Sequence, residues 1–189
     1  ADVYVPFGVA RIVRNGTDVT IATAGQLVHR SLEAAELLAA EGVSAEIVDL
    51  RTIQPLDVET VAASVRKTHR LLVVDEGYAM FGVGAELGQA IQELAFDHLD
   101  APVARLHTEP VTHPFAPALE RAMLVNTDLI VARARALTRG IAVPIRRLTA
   151  GGDRSAVLAT PPMPLAAPKP TTAPRTKPQI AIDGTPITM

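Results

Sequence analysis

The sequence predicts an α/β fold built on a mostly parallel sheet with one antiparallel strand at its edge. Three observations carry this expectation. Stretches of helical period separate strand-like runs from residue 19 to residue 106, and strand, helix, strand units of that kind join parallel strands by right-handed crossovers. Leu71-Leu72-Val73-Val74 is a continuous apolar run, the pattern of a strand covered on both faces. Asn15-Gly16 stands between two alternating runs, which reads as a hairpin and hence an antiparallel pair.

The elements follow in chain order. Gly8 to Arg14 and Asp18 to Thr23 are the arms of that hairpin, with Asn15-Gly16 supplying the positive φ angles of a tight turn. From Gln26 to Glu41 the period is helical: Leu27, Val28, Ser31, Leu32, Ala34, Ala35, Leu38 and Ala39 form an apolar stripe opposite Arg30, Glu33 and Glu36, and Gly42 ends it. Ala45 to Leu50 alternates and carries β-branched side chains; this strand is expected in the middle of the fold. It stops in a polar turn at Pro55, after which Asp57 caps a helix from Val58 to about Lys67 with Val58, Val61, Ala62 and Val65 inward. Arg70 to Asp75 is expected to be the most buried strand.

A loop from Glu76 to Phe81 leads into a helix from about Gly82 to Phe96 that buries Val83, Leu87, Ala90, Ile91 and Leu94. Pro102 to Leu106 is a short strand. Residues 107–126 contain three prolines and read as loop, with one helical turn at Pro117-Ala118-Leu119-Glu120. A last helix runs from Thr127 or Asp128 to Leu137 and buries Leu129, Ile130, Ala134 and Leu137. Beyond Gly140 the composition changes: residues 160–178 hold seven prolines and almost no large apolar side chain, too little to offset the entropy of ordering. The expected organisation is one folded domain over residues 1–140 that does not need the rest. Residues 141–189 form a Pro/Ala/Thr-rich tail or linker that stays disordered, its end at Gln179 to Thr185 pairing as a short strand only against something else.

Composition bounds the function. With 189 residues, 48% hydrophobic and only 3% aromatic, the chain can bury one sizeable aliphatic core. A net charge of −2 gives no electrostatic case for nucleic acid or an anionic membrane. The sequence has no cysteine, which removes disulfides and thiolate chemistry and fits a reducing compartment. No apolar run approaches the roughly 20 residues of a membrane span, and the first residues lack a basic region followed by an apolar block. The expectation is a soluble, cytoplasmic protein.

Several motifs suggest chemistry, and each has a plainer reading. Gly82-Val83-Gly84-Ala85-Glu86-Leu87-Gly88 follows a strand and opens a helix, yet its third glycine comes one residue late for G-x-G-x-x-G, so close helix packing is favoured over a dinucleotide loop. The free N–H groups at that helix start remain able to hold a carboxylate or phosphate. Ser64-Val65-Arg66-Lys67 matches S-x-x-K without its companion motifs and reads as the basic end of a helix. His29, His69, His98, His107 and His113 show no metal-ligand spacing and are taken as surface or packing residues. Asp75-Glu76 ends the apolar strand where ligands of α/β sheets gather, although such acids more often bond loop amides. Spacing alone identifies no catalytic, cofactor-binding or metal-binding residue.

Several stretches taken together resemble one family. They are Gly16 to Ile21, Asp49-Leu50-Arg51-Thr52-Ile53-Gln54-Pro55-Leu56-Asp57, Ser64 to Thr68, Val74-Asp75-Glu76-Gly77, Phe81-Gly82-Val83-Gly84-Ala85-Glu86, Leu99-Asp100-Ala101-Pro102-Val103-Ala104-Arg105 and Pro114 to Glu120. Over about residues 5–138 the chain resembles the C-terminal, transketolase-C-like domain of the beta subunit of thiamine-diphosphate-dependent 2-oxo acid dehydrogenases, of pyruvate, branched-chain or acetoin type. The resemblance implies a three-layer α/β/α domain. It also implies that thiamine diphosphate and magnesium belong to the full assembly, held by the dehydrogenase alpha subunit and by a preceding pyrimidine-binding domain, with none bound by this chain alone.

The implied partners are the alpha subunit, a second beta subunit and the peripheral-subunit-binding domain of the acyltransferase component. Asp100, in the Leu-Asp-Ala-Pro turn, resembles the acidic residue that meets basic side chains of that docking domain; read from the turn alone, it is an aspartate bonding its own backbone. The catalytic half is expected to be missing, and the tail's proline, alanine and lysine resemble the swinging linkers of acyltransferases. A stand-alone interaction module of the same fold and a small nucleotide-binding α/β protein are the competing expectations.

Overall fold

The computed structural model of the chain describes residues 4–140; the expected tail or linker over 141–189 lies outside the described residues. The strands are β1 (Arg11–Arg14), β2 (Val19–Thr23), β3 (Ala45–Asp49), β4 (Leu71–Asp75) and β5 (Ala104–His107), in one sheet of order β1-β3-β2-β4-β5. All neighbours are parallel except β1, which runs antiparallel to β3. The helices are α1 (Leu27–Ala40), α2 (Val58–Thr68), α3 (Val83–Ala95), α4 (Pro117–Met123) and α5 (Thr127–Thr138).

Alternation along the strands builds the three layers. Val19, Ile21, Leu72 and Val74 point to the face covered by α1 and α5, while Ala22, Val48, Leu71 and Val73 point to the face covered by α2 and α3. The crossovers β2–α1–β3 and β3–α2–β4 use opposite faces, so the chain first steps outward from β2 and then returns past it.

That winding corrects three expectations. The antiparallel edge strand is present, but Gly8 to Thr23 is no hairpin, because β1 pairs with β3 and not with β2. Both sides of β2 are taken by β3 and β4, and β1, with Arg11 and Arg14, keeps its charges near water at the edge. The strand at 45–49 is therefore second from the edge rather than central. The most buried strand is β2, closed at every position, whereas β4 opens at Asp75.

Helix ends obey the local signals. Gly42 and Val43 donate to the carbonyls of Ala39 and Leu38, which closes α1. Asp57 accepts from the Thr60 N–H at 3.0 Å and from the Thr60 hydroxyl at 2.7 Å, and its other role was not legible: it also accepts from Ala10 N–H at 2.8 Å, fixing the segment before β1. Burial raises its pKa, yet the bonds from Thr60 and Ala10 outweigh this and hold it below the usual carboxylate range. Asp57→Ala is expected to cost about 1–2 kcal/mol in urea unfolding at pH 7. Because the folded pKa is depressed, that contribution is present above the ordinary carboxylate pKa near 4 and is lost as pH falls through the folded value. A gap between wild type and variant that is unchanged at pH 3 would mean the carboxylate is not the group responsible.

Two helix faces are rotated from expectation. On α3 the buried residues are Gly84, Leu87, Gly88, Ile91 and Ala95, with Leu94 exposed and Val83 and Ala90 half-buried; on α5, Val131 is buried and Leu129 exposed. On α1, Ala39 is exposed. Glycines count as inward positions on α3 because β5 side chains pack onto them, His107 on Gly84 and Arg105 beside Gly88, which hydrophobicity does not register.

Candidate functional site

Two ends of the sheet carry the residues singled out by sequence. At the amino ends of the strands, Asp100 lies in the turn before β5, its side chain 56% exposed. Its N–H donates to His69 O at 2.9 Å, and its carboxylate faces the Arg70 guanidinium at 3.3 Å rather than its own turn. Arg70 also borders a cleft with Asp18, Glu41, Val43, Arg135, Thr138 and Arg139. This end of the domain is thus a surface of mixed charge, with Arg135 on α5 bound in two-point fashion to Glu41 beyond α1.

The S-x-x-K reading dissolves here. Ser64 is 2% exposed and faces the sheet beside the bonded pair Thr20 and Thr68, whose hydroxyls are 2.6 Å apart. Lys67 turns away to form an ion pair with Glu46, a fully buried carboxylate on β3 that also accepts from Gly16 N–H at 3.2 Å. Neither Glu46 nor this pairing was read from the sequence, although a glutamate inside a strand closed on both faces was the available signal.

The carboxyl ends hold the second cluster. Asp75 bonds the loop amides of Gly77 at 2.9 Å and Gly84 at 3.3 Å. The start of α3 is thereby capped by the chain's own carboxylate, which fills the place a phosphate or substrate carboxylate would take. A Cβ on Gly84 would lie 2.6 Å from His107 Cε1, so the glycine motif serves close packing. His107, read as a loop residue just past a strand ending at Leu106, is instead the last residue of β5 and the register partner of Asp75. Its side chain is 6% exposed and its Nδ1 lies 3.8 Å from Asp75 Oδ2.

The other histidines are exposed or paired in loops: His113 with Glu120 at 3.0 Å, and His69 with the His98 carbonyl at 2.9 Å. Among the described residues, no group of three or more His, Asp or Glu side chains is placed to hold a metal ion. None of the described helices is long and apolar enough to cross a membrane.

Around this end the surface is apolar. The loop after β4 exposes Tyr78, Met80 and Phe81, the last at 98%, and the segment after β5 exposes Val111, Phe115 and Leu119. Tyr78 joins the two loops by donating its hydroxyl to Val111 O at 3.0 Å. Between them lies a shallow cleft of about 430 Å³ bordered by Glu76, Gly77, Tyr78, Thr108, His113, Met123 and Leu124. Three of the chain's exposed aromatic side chains, Tyr78, Phe81 and Phe115, thus lie in these two loops.

Comparison with known proteins agrees with this architecture. The family described as "Transketolase, C-terminal domain" matches residues 8–130. Pyruvate dehydrogenase E1 component subunit beta of Dictyostelium discoideum is 47% identical over 135 residues, covering 71% of this chain and 38% of that protein. The beta-1 subunit of Arabidopsis thaliana is 49% identical over 126 residues, covering 67% and 35%. The beta subunit of acetoin:2,6-dichlorophenolindophenol oxidoreductase from Cupriavidus necator is 44% identical over 136 residues, covering 72% and 40%. Among solved structures, one described as a split-gene transketolase, inactive beta4 tetramer, superposes with a TM-score of 0.61 at 28% identity, covering 73% of this chain and 44% of that one. The chain spans about two fifths of the length of the curated relatives it matches.

Proposed function

The chain belongs to the transketolase C-terminal-domain family, and from that premise we propose that it is the assembly and docking domain of the beta subunit of a 2-oxo acid dehydrogenase. The observation that carries this reading is the apolar carboxyl end, with Phe81 and Phe115 almost wholly in water on a domain homologous to beta subunits of multienzyme dehydrogenases. Such a surface is suited to the alpha subunit and to a second beta subunit. At the start of α3 the Gly84 amide is already taken by Asp75, and among the described residues no group of three or more His, Asp or Glu side chains is placed for a cation. On this reading thiamine diphosphate and magnesium are held by other parts of the assembly. A cytoplasmic location belongs to the same proposal, and the cysteine-free sequence is compatible with it.

The mixed-charge amino end is the docking face for the peripheral-subunit-binding domain of the acyltransferase, with Asp100 as its acidic contact. A calorimetric titration of the chain against that domain, at low and moderate salt, tests the reading. Binding that weakens with salt is expected. Asp100→Ala should leave folding within about 1 kcal/mol, since its pair with Arg70 is exposed, and should weaken docking about fivefold. Absence of binding by the folded chain would favour a stand-alone interaction module of the same fold.

A further inference from the structure

Asp75 and His107 close the adjacent ends of β4 and β5, and between them they hold the loop that carries Tyr78, Met80 and Phe81. The Asp75 carboxylate bonds the amides at both ends of that loop, Gly77 through Oδ1 at 2.9 Å and Gly84 through Oδ2 at 3.3 Å. The imidazole lies directly behind the second of these bonds, packed on Gly84 and close to Oδ2. Both ring nitrogens are sealed from water and neither makes a hydrogen bond of normal geometry. We propose that the pair is a proton-operated latch on residues 76–82, closed while His107 is neutral and released when it takes up a proton.

The geometry sets the direction. A neutral imidazole can stay buried beside a carboxylate that is occupied with amides. An imidazolium cannot, because it adds a charge and a second N–H to a pocket sealed from water, and its Nδ1–H would draw Oδ2 away from the Gly84 amide. With Gly84 released, the loop opens and the ring reaches water.

The charged groups around the ring are Asp75 from β4, Arg105 from β5, which donates to Ala79 O at 3.1 Å within the same loop, and Arg133 from α5; α3 meets it with Gly84. Burial pushes His107 below its ordinary pKa, Asp75 and the Gly77 backbone oppose this, and Arg105 and Arg133 add to it, for a net depression. Opening therefore becomes easier below the ordinary histidine value near 6.5, by about tenfold per pH unit, until the closed form itself titrates. The apolar side chains released are those of the surface described above, but the latch does not depend on what covers that surface.

The test is an NMR pH series on the full chain from pH 7.5 to 5, following the His107 Cε1–H shift and amide exchange protection at Gly77, Gly84 and, as reference, β2. We expect His107 to titrate below 6.5 and protection at Gly77 and Gly84 to fall about tenfold per pH unit while β2 stays protected. In His107→Gln the loop protection should not change with pH. A His107 midpoint at or above 6.5, loop protection that tracks β2, or a pH dependence kept in His107→Gln would each overturn the latch. Should His107→Gln fail to fold, agreement or disagreement between the wild-type midpoint and the loss of loop protection decides alone.

Discussion

Gly16→Ala is expected to destabilise the domain by about 3 kcal/mol or more, a large share of the roughly 5–15 kcal/mol that holds a typical domain together. A Cβ at this position would lie 2.2 Å from Ala45 C and from Glu46 N, and 2.6 Å from Ala45 O. These are backbone atoms of β3, held in register with Val19 and Thr20 of β2, so they cannot withdraw as a side chain would. The chain from β1 to β2 must cross the amino end of β3, and it does so at Gly16, with Thr17 and Asp18 donating to Ser44 O at 3.1 and 2.9 Å. Were residues 15–18 a free hairpin turn, the same substitution would cost only about 1 kcal/mol. Urea unfolding separates the two outcomes, and a loss below 1 kcal/mol would remove the crossing.

Lys67→Met comes next in expected effect, at about 3 kcal/mol, because it leaves the fully buried Glu46 carboxylate with one N–H donor and no counter-charge. The other carboxylate oxygen has no partner to fall back on. Glu46→Gln should be milder, near 1 kcal/mol, since Lys67 is 44% exposed and can return to water. The double variant should recover most of the loss seen in Lys67→Met. Additive costs in that cycle would show that the two side chains act independently.

Both predictions concern the same few ångströms, and both show where sequence reading ran out. Helical period, the Asp57 cap, the glycine after α1 and the apolar run at 71–74 each report a local preference, so element types and most boundaries could be read directly. Partners cannot be read that way. Asn15-Gly16 is the dipeptide of a hairpin turn, but the glycine is there for lack of a Cβ. Leu94 and Leu129 satisfy a helical stripe and still face water, because Gly84 and Gly88 set the close face of α3 and because Val131 takes the inward place on α5. Asp100 was reached only through family likeness; its pairing with Arg70 joins two turns distant in sequence. His107 carries no sign of burial in its own neighbourhood and acquires its setting from its register partner Asp75.

By itself the sequence determined the alternation of strands and helices, the parallel crossovers and the family, because each depends on spacing along neighbouring segments or on an ordered set of motifs. The tertiary structure alone decided the strand order, the crossing at Gly16, the buried Glu46–Lys67 pair and the Asp75–His107 contact. These depend on which segments come to lie side by side, and that is settled by the burial of all faces at once, β2 taking the centre because every one of its side chains can be closed off from water.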